Sequence, residues 1–228
     1  MLYSRLLSVI KKVHKMILLI GGEKGGTGKS TIATNIAVKL AHQQQEVVII
    51  DCDPQCTATK WLSRRNKLFA NLPKVFCIQK TGDIYDTTID MSNRYKYVII
   101  DAGGRDSEEL RTAMVACHKM YIPLKASQPD IETSHHIIQL VKLAKTLNPK
   151  LLAFTMISMA PTNHVLKEDQ EAILLLSKLN IAKVSNIIIR ERKVYRDAIA
   201  DGKGVIEYDN IKATNEIKQL SEEIFFNE

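Results

Sequence analysis

No stretch of this 228-residue sequence is apolar over the roughly 20 residues that a helix needs to cross a bilayer. Low-complexity tracts, internal repeats and linker-like segments are also missing. The four cysteines are scattered, without the paired spacing of a metal site. Cys52 and Cys56 fall at a predicted strand end and in the following loop, so we expect reduced thiols in a cytosolic protein. A chain of this length without these features is expected to form a single globular domain.

Acidic residues are absent between Pro54 and Gly82, although the whole chain contains 25 of them. The formal net charge is +7 and the pI is about 9.1. The cations of the acid-free stretch are Lys60, Arg64, Arg65, Lys67, Lys74 and Lys80. Further basic groups lie within 1–15 and 190–203, whereas the chain after Glu207 is acidic. This excess of positive charge permits a polyanionic partner without identifying one.

Residues 1–15 differ in composition from the rest of the chain, because four cations are mixed with six leucine, valine and isoleucine residues. Such a segment can form a basic amphipathic helix that lies on a membrane or on DNA. The alternative is a leader that is non-native or disordered, since Met16 stands where the domain pattern begins. We therefore expect a basic amphipathic leader over 1–15 and one domain over 16–228.

Short apolar runs alternate with amphipathic stretches along the rest of the sequence. The apolar runs predict strands at 16–20, 47–51, 75–78, 97–101, 120–122, 151–157 and 187–189. A spacing of about 3.6 residues predicts helices at 29–43, 107–117, 130–147, 165–179, 194–201 and 211–226. This alternation is typical of βαβ units. The predicted fold is therefore α/β, with a mostly parallel twisted sheet and helices on both faces.

A glycine-rich run, residues 22–30, connects the first predicted strand to the first predicted helix and ends in Gly28-Lys29-Ser30, as phosphate-binding loops do. Glycines let successive backbone N–H groups turn toward one anion, and the helix N-terminus adds partial positive charge. We therefore expect Lys29 to reach the β- and γ-phosphates of a nucleotide, Thr31 to lie near the α-phosphate, and Ser30 to supply a hydroxyl to Mg²⁺. The expected nucleotide-binding residues are Gly25, Gly26, Thr27, Gly28, Lys29, Ser30 and Thr31.

An additional lysine precedes the glycine pair in the run Lys24-Gly-Gly-Thr-Gly-Lys-Ser-Thr31. The run resembles the deviant Walker A motif of the ParA/MinD group of P-loop ATPases. This resemblance, which covers about residues 16–207, implies a single-domain P-loop NTPase that hydrolyses ATP with Mg²⁺. It also implies that Lys24 reaches across an ATP-sandwiched homodimer to the partner's nucleotide. Taken alone, Lys24 has the alternative interpretation of a solvated loop cation.

Aspartates end two predicted strands: Asp51, in the run Asp51-Cys-Asp-Pro-Gln55, and Asp101. Carboxylates at the C-terminal ends of parallel strands face the crevice in which doubly wound sheets bind nucleotides. Resemblance to the family's D-x-D-P-Q segment implies that Asp53 orients the attacking water, with Asp51 near the Mg²⁺ shell. Resemblance to the Walker B motif implies that Asp101 holds Mg²⁺ through water. The alternative for each aspartate is a strand-end cap or a solvated turn.

The run Ala102-Gly-Gly104 departs from the family's D-x-P-P version but keeps small residues. Residues 156–162 follow another predicted strand end and are expected to lie near the base. Phosphoryl transfer is catalysed mainly by positioning and charge neutralisation. The expected catalytic residues are Lys24, Lys29 and Asp53. This set contains no strong acid–base pair, so the turnover of ATP is expected to be slow. Slow turnover suits a switch better than a metabolic catalyst.

Residues 189–207 are similar to the I-x-x-R-x-x-Y/F…A…G-x-x-V-x-E stretch of the short ParA and ParF-type partition ATPases. Cations in this stretch are expected to meet duplex phosphates without reading bases. The expected DNA-binding residues are Arg190, Arg192, Lys193 and Arg196. The alternative is an ordinary solvated helix, because Glu191, Asp197 and Asp201 dilute the positive charge.

These resemblances imply an ATPase for plasmid or chromosome partition. Its ATP-dependent homodimer would bind nucleoid DNA non-specifically in the cytoplasm, and a small centromere-binding ParB- or ParG-like protein would stimulate hydrolysis. The alternatives are a MinD-like membrane-cycling ATPase, another cargo-positioning or conjugative-transfer ATPase, and an iron–sulfur relative. The acidic run 218–228 argues against anionic lipid as a partner, and the cysteine spacing does not indicate a cluster.

Overall fold

The computed structural model describes residues 15–126, 135–163, 166–177 and 182–226. The predicted leader lies outside these residues apart from Lys15. The described strands form one seven-stranded sheet in which all neighbouring strands are parallel. They are β1 (Met16–Ile20), β2 (Val47–Asp51), β3 (Phe76–Gln79), β4 (Tyr97–Asp101), β5 (Lys119–Leu124), β6 (Leu152–Ile157) and β7 (Lys183–Val184). The predicted α/β class with a parallel sheet is confirmed.

Eight α-helices accompany the strands in the described part of the chain. They are α1 (Lys29–His42), α2 (Thr57–Leu68), α3 (Tyr85–Arg94), α4 (Glu108–Ala116), α5 (His135–Leu147), α6 (Leu166–Ser177), α7 (Lys193–Asp201) and α8 (Ile211–Phe226), with a 3₁₀ turn at Val205–Glu207. Among these described helices, none is both long enough and apolar enough to cross a membrane.

The strand order β3-β2-β4-β1-β5-β6-β7 places the first strand in the middle of the sheet. Residue pairing sets Ile20 of β1 beside Asp101 of β4, and Asp101 beside Asp51 of β2. The C-terminal ends of β1, β2 and β4 therefore lie level at one edge. Doubly wound sheets bind ligands at such an edge, near the point where the strand order reverses.

An apolar layer covers each face of the sheet. Leu19 of β1 and Leu110 of α4 belong to the layer on one face. Leu18 of β1, Trp61 of α2 and Ile217 of α8 belong to the layer on the other face. Successive residues of a strand point to opposite faces, so a strand buried on both sides is apolar throughout. This is why the sequence shows continuous apolar runs rather than alternation.

The last strand lies at Lys183–Val184, and the prediction of a strand at 187–189 is wrong. Ile189 nevertheless runs beside the end of β6. Its N–H donates to the Ile157 carbonyl over 3.1 Å, and its carbonyl accepts the N–H of Ala160 over 3.2 Å. The apolar pattern thus marked a buried extended segment that pairs too briefly to form a strand.

Two helices, α2 and α3, were not among the predicted elements. In α2 the buried residues are Ala58, Trp61 and Arg65, and in α3 the buried residue is Thr88. Apolar periodicity depends on a continuous stripe of buried side chains, which neither helix has. The predicted helix at 130–147 is described from His135 onward, and residues 130–134 lie outside the described ranges.

Candidate nucleotide site

The glycine-rich loop connects β1 to α1 at the level edge of the sheet. Gly26 and Gly28 have φ angles of 71° and 82°, in the left-handed region that glycine adopts without steric cost. Gly28 caps α1, and its carbonyl accepts the N–H of Ile32 over 2.9 Å as the first helical bond. The first N–H groups of a helix have no acceptor within the helix, so those of α1 can receive an anion.

The loop after β4 packs directly against the glycine-rich loop. A Cβ atom on Gly104 would lie 2.7 Å from the backbone nitrogen of Gly25 and 2.9 Å from its Cα. A Cβ atom on Gly103 would lie 3.6 Å from the carboxyl carbon of Asp53. The run Ala102-Gly-Gly104 is therefore small because three loops meet there, those after β1, β2 and β4.

Lys29 folds back onto the loop that carries it. Its Nζ donates to the Lys24 carbonyl over 2.6 Å, and the side chain is buried. Burial lowers the pKa of Lys29, while the carboxylates of Asp101 and Asp53 act in the opposite direction. A buried ammonium is stabilised by additional negative charge. Lys29 is thus placed to bind a phosphate at the loop.

Asp101 is buried at the end of β4, and neither carboxylate oxygen has a hydrogen-bond partner among the described residues. Burial raises the pKa of Asp101 to about 7, and the charges of Asp51 and Asp53 act in the same direction. The nearby Ser30 hydroxyl and Lys29 partly offset this shift. A buried carboxyl without a partner is unfavourable, and a cation removes the penalty.

Magnesium fits this arrangement of donors. Mg²⁺ binds oxygen ligands, usually one or two carboxylates together with phosphates and water, and P-loops add a Ser or Thr hydroxyl. Asp101 and Ser30 supply these two protein groups beside the phosphate loop. The binding of Mg²⁺ by these two residues stays a prediction that their chemistry fits.

Asp51 lies beside Asp101 but is already satisfied by the protein. Its Oδ2 accepts the N–H and the hydroxyl of Thr59, both over 2.8 Å. Its Oδ1 accepts the N–H of Asp53 over 3.2 Å. These hydrogen bonds give Asp51 a positioning role, because its oxygens fix the start of α2. Its predicted place near the Mg²⁺ shell stays a prediction.

An open cleft of about 390 Å³ lies beside the loop, within the range of small-ligand sites. Its lining residues are Gly25, Gly26, Gly28, Lys29, Ser30, Thr31, Asp53, Gln55, Thr57 and Met159. Asp53 is partly exposed there, and its Oδ1 accepts the N–H of Gln55 over 2.8 Å. The structure thus brings the predicted water-orienting residue to the same cleft as the predicted phosphate-binding residues.

A largely apolar pocket adjoins the cleft and shares Gly28, Thr31 and Met159 with it. Its other lining residues are Ile32, Ser158, Ile189, Arg190, Glu191, Arg192, Tyr195 and Arg196. The Ser158 hydroxyl donates to the Thr27 carbonyl over 2.6 Å and fastens the loop after β6 to the phosphate loop. The pocket has a volume of only about 50 Å³, room for a few water molecules. It includes Met159 of the segment predicted near the base, and a contact between that segment and a base stays a prediction. Residues 189–192 also line this pocket. For that stretch, the sequence predicts only a DNA contact.

Glu23 holds the position at which the common phosphate-loop pattern begins with glycine, one residue after Gly22. Its carboxylate contacts Nδ1 of His136 at the start of α5. The Nε2 atom of His136 lies 3.9 Å from the Asp106 carboxylate, which pairs with Arg111 of α4. These charges connect the phosphate loop to α4 and α5. They lie far apart along the chain, so local sequence patterns contain no signal for them.

Two of the residues predicted to bind DNA point into the protein. The guanidinium of Arg190 is buried, with hydrogen bonds of 3.2 and 2.6 Å to Asp169 and 3.1 Å to the Pro161 carbonyl. Arg192 pairs with Glu216 over 2.6 Å. These arginines attach the segment before α7 to α6 and α8. These ion pairs give both arginines a structural role, and their predicted contact with DNA phosphates stays a prediction.

The other two predicted DNA-binding residues are exposed. Lys193 pairs with Asp197 over 2.8 Å, and Arg196 pairs with Glu191 over 3.1 Å. Both cations can reach solvent, but each is already close to a carboxylate. Their contact with DNA stays a prediction, as does the reach of Lys24 into a second subunit.

A phosphate loop between a central parallel strand and a helix, beside a buried carboxyl, defines a P-loop nucleotide-binding protein. The chain belongs to the CobQ/CobB/MinD/ParA nucleotide binding domain family, whose profile matches residues 18–206.

Several known proteins are similar to this chain over much of their length. The maintenance of carboxysome distribution protein A of Halothiobacillus neapolitanus is 26% identical over 210 residues, which cover 91% of this chain and 95% of that protein. The protein ParA of Rhizobium radiobacter is 26% identical over 152 residues, which cover 65% of this chain and 68% of that protein. The structure of an ATP complex of a Cyanothece McdA variant superposes with a TM-score of 0.74 and 17% sequence identity. The match covers 92% of this chain and 96% of the McdA chain. The structural likeness shows a shared fold.

Proposed function

We propose that this protein is a ParA-type ATPase that hydrolyses ATP slowly with Mg²⁺ and acts as a switch in plasmid or chromosome partition. The observation that carries the proposal is the buried Asp101 carboxyl, which forms no well-aligned hydrogen bond with a described residue and lies close to the Ser30 hydroxyl and to Lys29. A carboxyl, an ammonium and a hydroxyl facing one phosphate loop suit a magnesium-bound triphosphate.

Each residue of the cleft has a separate task in this mechanism. The loop N–H groups and Lys29 hold the phosphates and offset their charge. Ser30 and Asp101 would hold Mg²⁺, which would supply further charge neutralisation. Asp53, which lines the same cleft, orients the attacking water, and Lys24 of a second subunit adds positive charge. Because positioning replaces strong acid–base chemistry, hydrolysis is slow until a partner favours the productive geometry.

The nucleotide cycle would control association with other molecules. With ATP bound, two subunits form a sandwich dimer that binds DNA non-specifically and places the protein on the nucleoid in the cytoplasm. A small centromere-binding ParB- or ParG-like protein stimulates hydrolysis and returns the protein to the free state. Such a partner acts by binding the hydrolysis-competent state more tightly than the other state.

A second candidate keeps the same cycle but changes the cargo. The similarity to the Halothiobacillus carboxysome-distribution protein extends along 91% of this chain, against 65% for the Rhizobium ParA. This favours positioning of a protein assembly as the alternative to DNA partition. A MinD-like membrane cycle is less favoured, because the end of the chain is acidic.

A binding assay with duplexes of unrelated sequence tests the proposal. We expect tight binding with ATP and with a slowly hydrolysed analogue, weak binding with ADP, and similar affinities for all sequences. Anionic vesicles are tested in parallel. Binding to vesicles instead of DNA would favour the membrane cycle, and equal DNA binding with ADP and ATP would contradict a nucleotide switch.

A further inference from the structure

The exposed cations of this protein differ in whether an acidic side chain neutralises them. In α7, Lys193 lies 2.8 Å from Asp197, and Arg196 lies 3.1 Å from Glu191. A cation that already holds a carboxylate must release it to bind a phosphate directly, which lowers the gain from the new contact. We therefore expect α7 to gain less from phosphate contacts than a helix whose exposed cations have no acidic neighbour, although exposed ion pairs of this kind are weak.

The outer side of α2 carries cations that have no such acidic partner. Lys60 and Lys67 are exposed, and neither forms an ion pair with a described residue. Lys74, between α2 and β3, is also exposed and shares this property. The cause is local composition, because residues 54–82 contain no aspartate or glutamate. We call Lys60, Ser63, Lys67 and Lys74 the α2 basic surface.

The α2 part of this surface has the geometry of a phosphate-binding face. Lys60, Ser63 and Lys67 lie on one side of the helix because they are three and seven residues apart. Two helical turns separate the lysines by about 10 Å along the helix, while one DNA strand presents a phosphate about every 3.4 Å along the duplex axis. Lysine and serine both contact phosphates in DNA complexes. This face is polar, whereas a helix that lies in a membrane needs an apolar side.

The start of α2 is connected to the nucleotide cleft. Asp53 and Gln55, which precede the helix, line the cleft together with Thr57, its first residue. Nζ of Lys60 donates to the Gln55 carbonyl over 2.9 Å. A nucleotide that changes the position of this loop therefore acts on the helix that presents the lysines.

The side of α2 is fastened to the end of α7. Trp61 Nε1 donates to the Lys203 carbonyl over 2.9 Å, and the Arg64 guanidinium donates to the Ile199 carbonyl over 2.9 Å. These bonds place the two helices side by side as one unit. Lys193 and Arg196 consequently lie on a helix that is bonded to α2, the helix that carries the α2 basic surface.

We propose that the α2 basic surface, rather than α7, makes the main phosphate contacts of this protein with duplex DNA. The inference rests on the DNA binding in the proposed function and specifies its surface. The contacts are independent of base sequence, because lysine and serine side chains on phosphates carry no base readout.

The test compares three double variants in the full chain: Lys60→Gln with Lys67→Gln, Lys193→Gln with Arg196→Gln, and Lys142→Gln with Lys150→Gln. The last pair removes two exposed lysines elsewhere and is the matched charge control. Fluorescence anisotropy with a random-sequence duplex and a slowly hydrolysed ATP analogue measures the affinity over a salt series. We expect the α2 double variant to bind DNA about tenfold more weakly, with a log–log salt slope that is smaller by about 2. The α7 double variant should show smaller losses, and the affinity of the control variant should stay within about twofold of that of the unaltered protein.

The single variants Lys60→Gln and Lys67→Gln accompany the pair, so that misfolding of one protein does not decide the result. Each single variant should lower the salt slope by about 1. If the unaltered protein binds DNA and the α2 pair behaves like the control, the inference is overturned while the proposed function stands. Loss confined to the α7 pair overturns it in the same way.

Two further outcomes concern the class of partner. If the unaltered protein binds no duplex with any nucleotide, both the inference and the DNA-binding part of the proposed function are overturned. Leu68 and Phe76 are exposed apolar residues close in sequence to the α2 basic surface. Because apolar side chains beside lysines can also bind a membrane, phosphatidylserine vesicles are included as a probe. Vesicle binding that depends on Lys60 and Lys67, without duplex binding, would assign the surface to a membrane and overturn the inference.

Discussion

At the scale of single residues, Asp51 and Asp101 are neighbours on adjacent strands but have opposite environments. Asp51 accepts three hydrogen bonds, two of them from Thr59 in the helix that follows its strand. Asp101 accepts none from the described residues, because its strand is followed by Ala102 and two glycines that bring no polar side chain. The segment after each strand, and not the aspartate itself, decides which carboxyl is left for a metal.

Replacement of Lys29 by alanine should abolish ATP binding, because the buried ammonium beside the loop is lost. Isothermal titration calorimetry measures the affinity, and a loss of at least about 100-fold is expected for one charge-assisted phosphate contact in a partly buried site. Lys39→Ala on the same helix is the control and should bind normally. Unchanged affinity in the Lys29 variant would contradict the assignment of the phosphate loop.

Asp101→Asn should change how stability depends on pH. The folded protein keeps the Asp101 proton up to a pKa of about 7, whereas an unfolded aspartate loses it near pH 4. Stability from this group is therefore present below about pH 4 and is lost as the pH rises to about 7, by on the order of 4 kcal/mol in total.

Urea unfolding with a chelator and without nucleotide measures this difference at several pH values. We expect the unaltered protein to lose stability relative to Asp101→Asn as the pH rises, and the variant to be the more stable protein at pH 8. Mg²⁺ and ATP should reverse the order, because the ionised carboxyl then has a cation. A difference that is flat with pH would contradict the buried, unpartnered state of Asp101.

At the scale of elements, α2 is held to the C-terminal part of the chain by a buried ion pair. The Arg65 guanidinium lies 2.7 Å from Glu207, with both side chains almost fully buried. Arg65 also donates to the Gly202 carbonyl over 3.2 Å. A Cβ atom on Gly202, which has a φ of 77°, would lie 2.4 Å from the backbone nitrogen of Arg65. Two positions of the family-like stretch 189–207 thus serve the packing of α2.

Glu207→Ala should destabilise the protein by about 3–5 kcal/mol, because Arg65 stays buried without its carboxylate. Urea unfolding monitored by circular dichroism measures the loss. The control is Asp90→Ala, which breaks the exposed Arg94–Asp90 pair and should cost less than about 1 kcal/mol. Equal losses for the two variants would mean that burial does not distinguish these ion pairs.

At the scale of the whole molecule, the elements around the cleft form one connected unit. The phosphate loop contacts the loop after β4 at Gly104 and the loop after β6 through Ser158. Asp53 leads into α2, and α2 is bonded to α7. A triphosphate bound at the centre would therefore contact loops that are connected to several sides of the molecule, as a nucleotide switch requires.

Asp53→Ala should give a protein that binds ATP but does not consume it, so the ATP dimer should persist. Sedimentation velocity measures the dimer fraction over time after ATP is added. In the unaltered protein and in the control Asp86→Ala, which changes an exposed aspartate of α3, the dimer should decay as ATP is hydrolysed. An Asp53 variant that stays monomeric with ATP would contradict the sandwich dimer.

Local patterns predicted the parts of this protein that depend on neighbouring residues. Strands buried on both faces need continuous apolar runs, and the phosphate loop needs glycine where φ is positive, as at Gly26 and Gly28. The helices α2 and α3 were not predicted, because few of their side chains reach the core. The strand at 187–189 was misplaced, because an apolar run shows burial but not how many pairing bonds form.

The sequence by itself determined the α/β class, the phosphate loop and the strand-end aspartates, because periodicity, glycine placement and strand polarity act over a few residues. Only the tertiary structure decided that Asp51 accepts three hydrogen bonds while Asp101 accepts none that is well aligned from the described residues. It also decided that Arg190 and Arg192 are held by Asp169 and Glu216. Hydrogen bonds and ion pairs depend on which distant segments meet in space, and a charged residue in the sequence does not show whether its partner is water, a carboxylate or a ligand.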